Sequence, residues 1–204
     1  MVGRRTLLLS LVCGLVCLFA AFLIARECLF PLRYREVVVR QGHEWRLNPL
    51  LVAAVISRES SFSPLQVSMQ GDRGLMQLQP TTIEELQRVG IISSDEGAQG
   101  DVFDPAKNIR YGTAYLRYLY DRFGGSDRRM EKVANWYGGD ATTPVLHSYN
   151  AGPTLVLSIF DGVDDLATYQ GGMQNRRPTT VEHVKDVLWR FRCLKIMNRI
   201  AKYE

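Results

Sequence analysis

The stretch Asn48-Pro49-Leu50-Leu51-Val52-Ala53-Ala54-Val55-Ile56-Ser57-Arg58-Glu59-Ser60 constrains the fold more than any other part of the chain. Asparagine is a good N-cap, and proline suits the first helical position, where its missing N–H costs nothing. A helix is predicted from about Pro49 to Ser60. It is apolar nearly all round, so it must be covered on every side and sits at the centre of a core. Ser61-Phe62-Ser63-Pro64 follows at once. Glu59 therefore stands where a buried helix opens into a turn, partly in a dry environment and partly facing a cleft. Burial raises a carboxyl pKa, and a raised pKa lets a glutamate donate a proton near neutral pH. On Glu59-Ser60 alone, an exposed helix-end carboxylate with a serine cap is the better reading.

The other strong signals are helical too. Leu32 to Arg46, mixed apolar and charged, predicts one helix, and Thr81 or Thr82 opens a short one that ends at Gly90. Asp104-Pro105 repeats the cap-plus-proline signal. The helix it opens carries Ile109, Gly112, Tyr115, Leu116 and Leu119 at helical spacing, and Gly124-Gly125 ends it. Asp127 to Trp136, Thr143-Pro144 towards Tyr149, and Pro153 to about Phe160 predict three compact helices. A long last helix runs from Thr180 to Lys202, with Val184, Val187, Leu188, Phe191, Leu194 and Ile196 towards the core. Ser63–Gln79, Ile91–Val102 and Gln170–Pro178 read as loops. No alternating strand pattern of convincing length is present, so the fold class is all-α.

The chain has 204 residues, 46% apolar and 23% charged, enough for one domain with its own core. Its net charge is +4, but Arg4, Arg5, Arg26, Arg33 and Arg35 precede the expected domain, and the remainder is nearly balanced. No basic field of the kind that nucleic acid requires is present. Thr6 to Ala25 is uncharged over about twenty residues, enough to span a bilayer at roughly 1.5 Å per residue. Arg4 and Arg5 flank it, and no small-x-small cleavage site closes it. Residues 1–30 are expected to form an uncleaved transmembrane signal anchor. A cleaved signal peptide is the alternative. Residues 31–204 then form the domain, outside the cytoplasm. The cysteines at 13, 17, 28 and 193 offer no disulfide framework, and His43, His147 and His183 lack a metal-ligand spacing.

Four separated segments carry the functional signal: Glu59-Ser60-x-Phe62-x-Pro64, Gly74-Leu75-Met76-Gln77-x-x-Pro80, Asp104-Pro105-x-x-Asn108-Ile109-x-x-Gly112 and Tyr149-Asn150-Ala151-Gly152-Pro153. In this order and spacing the chain resembles the soluble-type lytic transglycosylases, peptidoglycan-cleaving members of the lysozyme-like superfamily. The resemblance spans about Leu32 to Arg192. It implies a lysozyme-like domain that cuts the MurNAc-β-1,4-GlcNAc bond of glycan strands without a cofactor or metal. It places the single catalytic carboxyl on Glu59, which protonates the leaving oxygen. Once ionised, Glu59 takes the proton of the MurNAc C6 hydroxyl as that hydroxyl closes a 1,6-anhydro ring. The usual two-carboxylate scheme adds a second carboxylate; Asp72 is the nearest in sequence, and its plainer reading is an exposed turn residue.

The resemblance also implies Ser68, Met76, Gln77, Tyr149 and Asn150 as substrate-binding residues: Tyr149 to the acetamido group of MurNAc, Gln77 through its amide. Tyr149 and Asn150 also fit packing and a helix end, and Leu75 and Met76 fit the core. Asp104, Pro105, Asn108 and Gly112 read as structural.

The chain departs from the family pattern at Gln66 and at Gly71-Asp72, where Gly-Ala is usual. Gly124 to Asp140 reads as an insertion near the cleft. The usual Glu-Thr-Arg-x-Tyr-Val is replaced by Thr179-Thr180-Val181-Glu182-His183-Val184. A hydrolytic muramidase and a catalytically weak peptidoglycan-binding scaffold are the rival readings.

Overall fold

A computed structural model of the chain describes residues 3–29, 32–96, 101–126 and 128–201. Ten α-helices are present among them: α1 (Arg4–Leu29), α2 (Leu32–Glu44), α3 (Pro49–Ser60), α4 (Pro80–Arg88), α5 (Pro105–Asp121), α6 (Arg128–Trp136), α7 (Thr142–Ala151), α8 (Pro153–Phe160), α9 (Leu166–Arg176) and α10 (Pro178–Ala201). A 3₁₀ turn at Asp101–Phe103 precedes α5, and a π turn at Arg122–Ser126 follows it. The only β pairings among the described residues are isolated bridges, Val67 to Arg73 and Arg73 to Leu78. The expected all-α class holds.

α3 begins where the sequence places it: Asn48 is extended, its side chain accepts from the Leu50 N–H, and Pro49 fills the first position. Leu51, Val52, Ala53, Ala54, Val55 and Ile56 are all buried, so α3 is the covered centre of the core. α10 packs along it, α2 bridges it to α5, and α7 rests on both α5 and α10. α8 and α9 pack in turn on α7 and α10. This cage holds the C-terminal end of α3, and with it Glu59, in place.

Several expectations are corrected. α4 opens at Pro80, with Gln79 at the cap position, and not at a threonine cap. Pro80 has the fixed φ that suits a first helical residue, and Thr81 and Thr82 lie inside the first turn. Gln170–Pro178 is no loop: α9 covers most of it. Asp165 starts that helix by accepting from the Thr168 N–H, and Tyr169 and Met173 anchor it in the core. Four residues apart, those two apolar side chains are enough to hold an otherwise polar helix. Ile196, expected inside, is 58% exposed. The insertion Gly124–Asp140 does not border the cleft through α6. Its Trp136 ring packs 5.3 Å from Phe160 of α8 and 6.1 Å from Tyr169 of α9. Asp127, residues 97–100 of the second loop and the end of the last helix at Lys202 lie outside the described residues.

The expected transmembrane helix is not met as such: among the described residues no helix is long and apolar enough to cross a membrane. The boundary at 30 and 31 also lies outside the described residues.

Candidate active site

The turn after α3 is bent by two consecutive left-handed residues, Ser61 (φ 49°) and Phe62 (φ 61°). Side chains rarely adopt this region, at a cost on the order of 1–3 kcal/mol each. Three contacts hold the turn. The Ser61 N–H donates to the Ser57 carbonyl as the helix cap. The Phe62 ring is buried and stacks 6.0 Å from Tyr34. Ser60 Oγ donates to the Leu75 carbonyl at 2.8 Å. Ser60 is thus a strut to the next loop, and Ser61, not Ser60, is the cap. The strained reversal sends loop 63–79 back across the end of α3.

That loop is fastened to α5 by Asn108. Its Oδ1 accepts from the Met76 N–H at 2.8 Å, while its Nδ2 donates to the carbonyls of Val102 at 2.7 Å and Arg73 at 3.1 Å. A Cβ on Gly74 (φ 76°) would lie 2.3 Å from Asn108 Nδ2. One on Gly112 would lie 2.4 Å from Met76 Sδ. Both glycines admit a neighbour that no larger residue would.

Between this loop, α4, α5 and the end of α7 lies an open cleft of about 530 Å³. Glu59, Asp72, Gln77, Tyr115, Tyr149 and Asn150 line it, together with Glu85, Arg88, Tyr118 and Arg122. The Tyr149 hydroxyl donates to the Met76 carbonyl at 2.8 Å, and its ring lies 5.6 Å from Tyr115. Burial, and next the Glu59 carboxylate, hold the Tyr149 phenol well above its usual pKa. Burial pushes Tyr115 to about 12. Both phenols therefore stay protonated over any physiological range. Glu85 accepts from Arg88 and from Tyr118, and the Arg88 bond is the main cause holding it below the usual carboxylate range.

The cleft brings together four of the expected residues: Glu59, Gln77, Tyr149 and Asn150. It does not include Ser68 or Met76. Met76 is wholly buried, because its side chain fills the space that Gly112 leaves, so its side chain is wall rather than sugar contact. Ser68 is turned into its own loop, donating to Asp72 Oδ2 at 2.8 Å and accepting from the Asp72 N–H. Gln77, itself left-handed (φ 48°), spends its amide N–H groups on the Gly74 and Gln66 carbonyls at 2.8 and 3.1 Å. Its side-chain oxygen is the group left for a sugar hydroxyl. Asp72 is no exposed turn residue. It lines the cleft, and its Oδ1 is buried with no hydrogen-bond partner.

One residue was missed altogether. His183 of α10 places Nε2 3.2 Å from Glu59 Oε1, with side-chain exposures of only 8% and 12%. Read in sequence it was one of three isolated histidines. The signal that could have found it is its place in Thr179–Val184, where the family pattern has tyrosine. The other buried histidine, His147, has Nδ1 3.3 Å from the Tyr169 hydroxyl, and burial pushes its pKa down to about 4. Among the described residues no group of three or more His, Cys, Asp or Glu side chains is arranged to hold a metal ion.

Residues 36–170 match the family model "Transglycosylase SLT domain". The chain belongs to this family. It is 32% identical over 127 residues to the soluble lytic murein transglycosylase of Escherichia coli strain K12, covering 62% of this chain and 17% of that one. It is 31% identical over 128 residues to the membrane-bound lytic murein transglycosylase C of Edwardsiella ictaluri, covering 63% and 33%. The crystal structure of the 70 kDa soluble lytic transglycosylase of Escherichia coli superposes with a TM-score of 0.60 at 26% identity, over 79% of this chain and 24% of that chain. The same kind of enzyme in complex with bulgecin A gives 0.61 at 25% identity, over 86% and 25%. The chain thus spans a third or less of the length of these relatives. The family match contains Glu59, the whole loop 63–79 and Tyr149, but it ends at residue 170, before His183.

Proposed function

We propose that this SLT-family chain is a peptidoglycan lytic transglycosylase acting on the MurNAc-β-1,4-GlcNAc bond, with Glu59 as acid and then base. The observation that carries this reading is the place of Glu59: the C-terminal end of the helix whose centre is buried, its side chain 12% exposed, opening into a cleft large enough for sugar rings. Acid donation to the leaving oxygen requires a carboxyl within hydrogen-bond reach of the substrate. The carboxylate then takes the C6 hydroxyl proton as the 1,6-anhydro ring closes, so no water is consumed. Tyr149 and Tyr115 form a wall on which a sugar face can lie, and Asn150 and the Gln77 side-chain oxygen supply polar contacts. The names of the relatives support the same class of reaction. Glu59→Gln should stop release of 1,6-anhydromuropeptides from purified sacculi, read by mass spectrometry, while the melting temperature stays near wild type. Release at the wild-type rate sinks the mechanism.

Asp72 favours a second reading, hydrolysis. It stands where the family pattern has alanine, in the same cleft as Glu59, and its unbonded Oδ1 could activate a water. A hydrolytic product is heavier by one water than the anhydro form. The same spectra therefore separate the readings, and Asp72→Asn should abolish only the heavier product.

We also propose that α1 anchors the domain at the outer face of the cytoplasmic membrane. Its apolar side chains lie bare, Leu8 and Leu18 each 70% exposed, and Arg4 and Arg5 precede them. Water does not favour such a surface, and a bilayer does.

A further inference from the structure

We propose that Glu59 and His183 form one titrating unit, in which His183 is a positioning residue that shares the catalytic proton with Glu59. The kinetic part of this proposal rests on the reaction class above; the pairing itself does not. The geometry is specific. Nε2 and Oε1 stand 3.2 Å apart, both side chains are about nine-tenths covered, and they come from α3 and α10, the two helices packed most intimately in the core.

A contact at this distance ties Oε1 to the imidazole and leaves Oε2 as the oxygen free to face the cleft. Carrying one proton, the pair has two arrangements: carboxylate with imidazolium, or carboxylic acid with neutral imidazole. In the first the proton is on Nε2. In the second it has passed to the carboxyl, from which it can go to the glycosidic oxygen. A glycan strand covering the cleft expels water and disfavours separated charges, so it moves the proton towards the acid form. Two sites that can each hold the proton, each favoured by the other's charge, bind it more tightly than the carboxyl would alone. His183 thereby keeps the acid loaded to higher pH.

The other charged and titratable groups around the pair come from α3, α10, α7, α5 and loop 63–79. Next to Glu59 on α3, Arg58 contacts Asp186 of α10 at 2.9 Å. Arg190 of α10 bonds both Asp186 and Ser57 Oγ. From the loop Asp72 faces the same space, and from α7 and α5 come the phenols Tyr149 and Tyr115, whose pKa values are both raised.

Two measurements on the full chain test the unit. The first is the pH titration of the His183 imidazole by NMR in wild type and Glu59→Gln. The midpoint should fall in the variant, because a carboxylate partner has been removed, whereas an unchanged midpoint overturns the pairing whatever the protein's activity. The second is the pH profile of kcat/KM on glycan strands. His183→Gln keeps a donor but loses the proton site. Its alkaline limb should move down by about one pH unit and kcat should fall about tenfold or more with little change in KM. His183→Tyr, also a non-titrating donor near neutrality, should recover rate at acid pH but not the position of the limb. A uniform loss with the limb unmoved means that His183 only packs, and overturns the shared proton. Should the wild-type chain release no muropeptides, the reaction class fails and the NMR titration alone decides the pairing.

Discussion

At the residue scale, two polar side chains of α7 do different work. The Tyr149 hydroxyl spends its proton on the Met76 carbonyl, and that bond joins α7 to the loop below Glu59. Tyr149→Phe should therefore destabilise the fold by about 1–2 kcal/mol, the cost of leaving a covered carbonyl unmet, as read by chemical denaturation. It should also lower kcat, because the loop that frames the acid loosens. His147 makes a different prediction. Its pKa is about 4 in the folded chain, through burial, against an ordinary value near 6.5 when unfolded. The unfolded state binds the proton first. Stability is thus undiminished above about pH 6.5 and is lost as pH falls towards about 4, by roughly 3 kcal/mol for this residue. His147→Gln should flatten that part of the stability curve. An identical acid slope in the variant would assign the loss to other groups.

At the scale of elements, the site is a loop held by one helix. Asn108 on α5 makes three bonds to loop 63–79 and the turn before α5. Asn108→Ala leaves those groups covered and unmet, and about 2–4 kcal/mol of stability should go with them, together with activity. Gly112→Ala is the subtler probe. A methyl group there meets Met76, whose carbonyl holds Tyr149. It should cost about 1–3 kcal/mol by overpacking and lower kcat more than it raises KM, as steady-state kinetics would show. The helix starts were legible because Asn48-Pro49 and Asp104-Pro105 act through local backbone chemistry. α9 was not: its signal is two buried residues, Tyr169 and Met173, in a polar stretch, and only α8 and α10 tell which face is covered.

At the scale of the whole molecule, the core does not depend on the first helix for its centre. α3 packs chiefly against α10 and α2, and α1 makes a smaller contact with α3 and α10. Deleting residues 1–31 should leave a chain that folds and is released to the soluble fraction. The full chain should stay with membranes through carbonate washing. Recovery of the full chain in the soluble fraction would reject the proposed anchor.

The local signals of the chain were sufficient for the all-α class, for the central helix with Glu59 at its end, and for Asn108 and Gly112 as structural positions. Capping, proline geometry and an apolar run act over neighbouring residues, so they can be read without a fold. The partners of Glu59 could not be read that way. His183 lies more than a hundred residues further along the chain and reaches Oε1 only because α10 packs along α3. Asp72 looked like a turn residue until the strained reversal at Ser61 and Phe62 carried its loop back across the helix end. Met76 is no sugar contact because packing against Gly112 buries its side chain. A glutamate that seemed to stand alone has a carboxylate in its cleft and an imidazole at its side, because long-range packing is what sets which side chains meet.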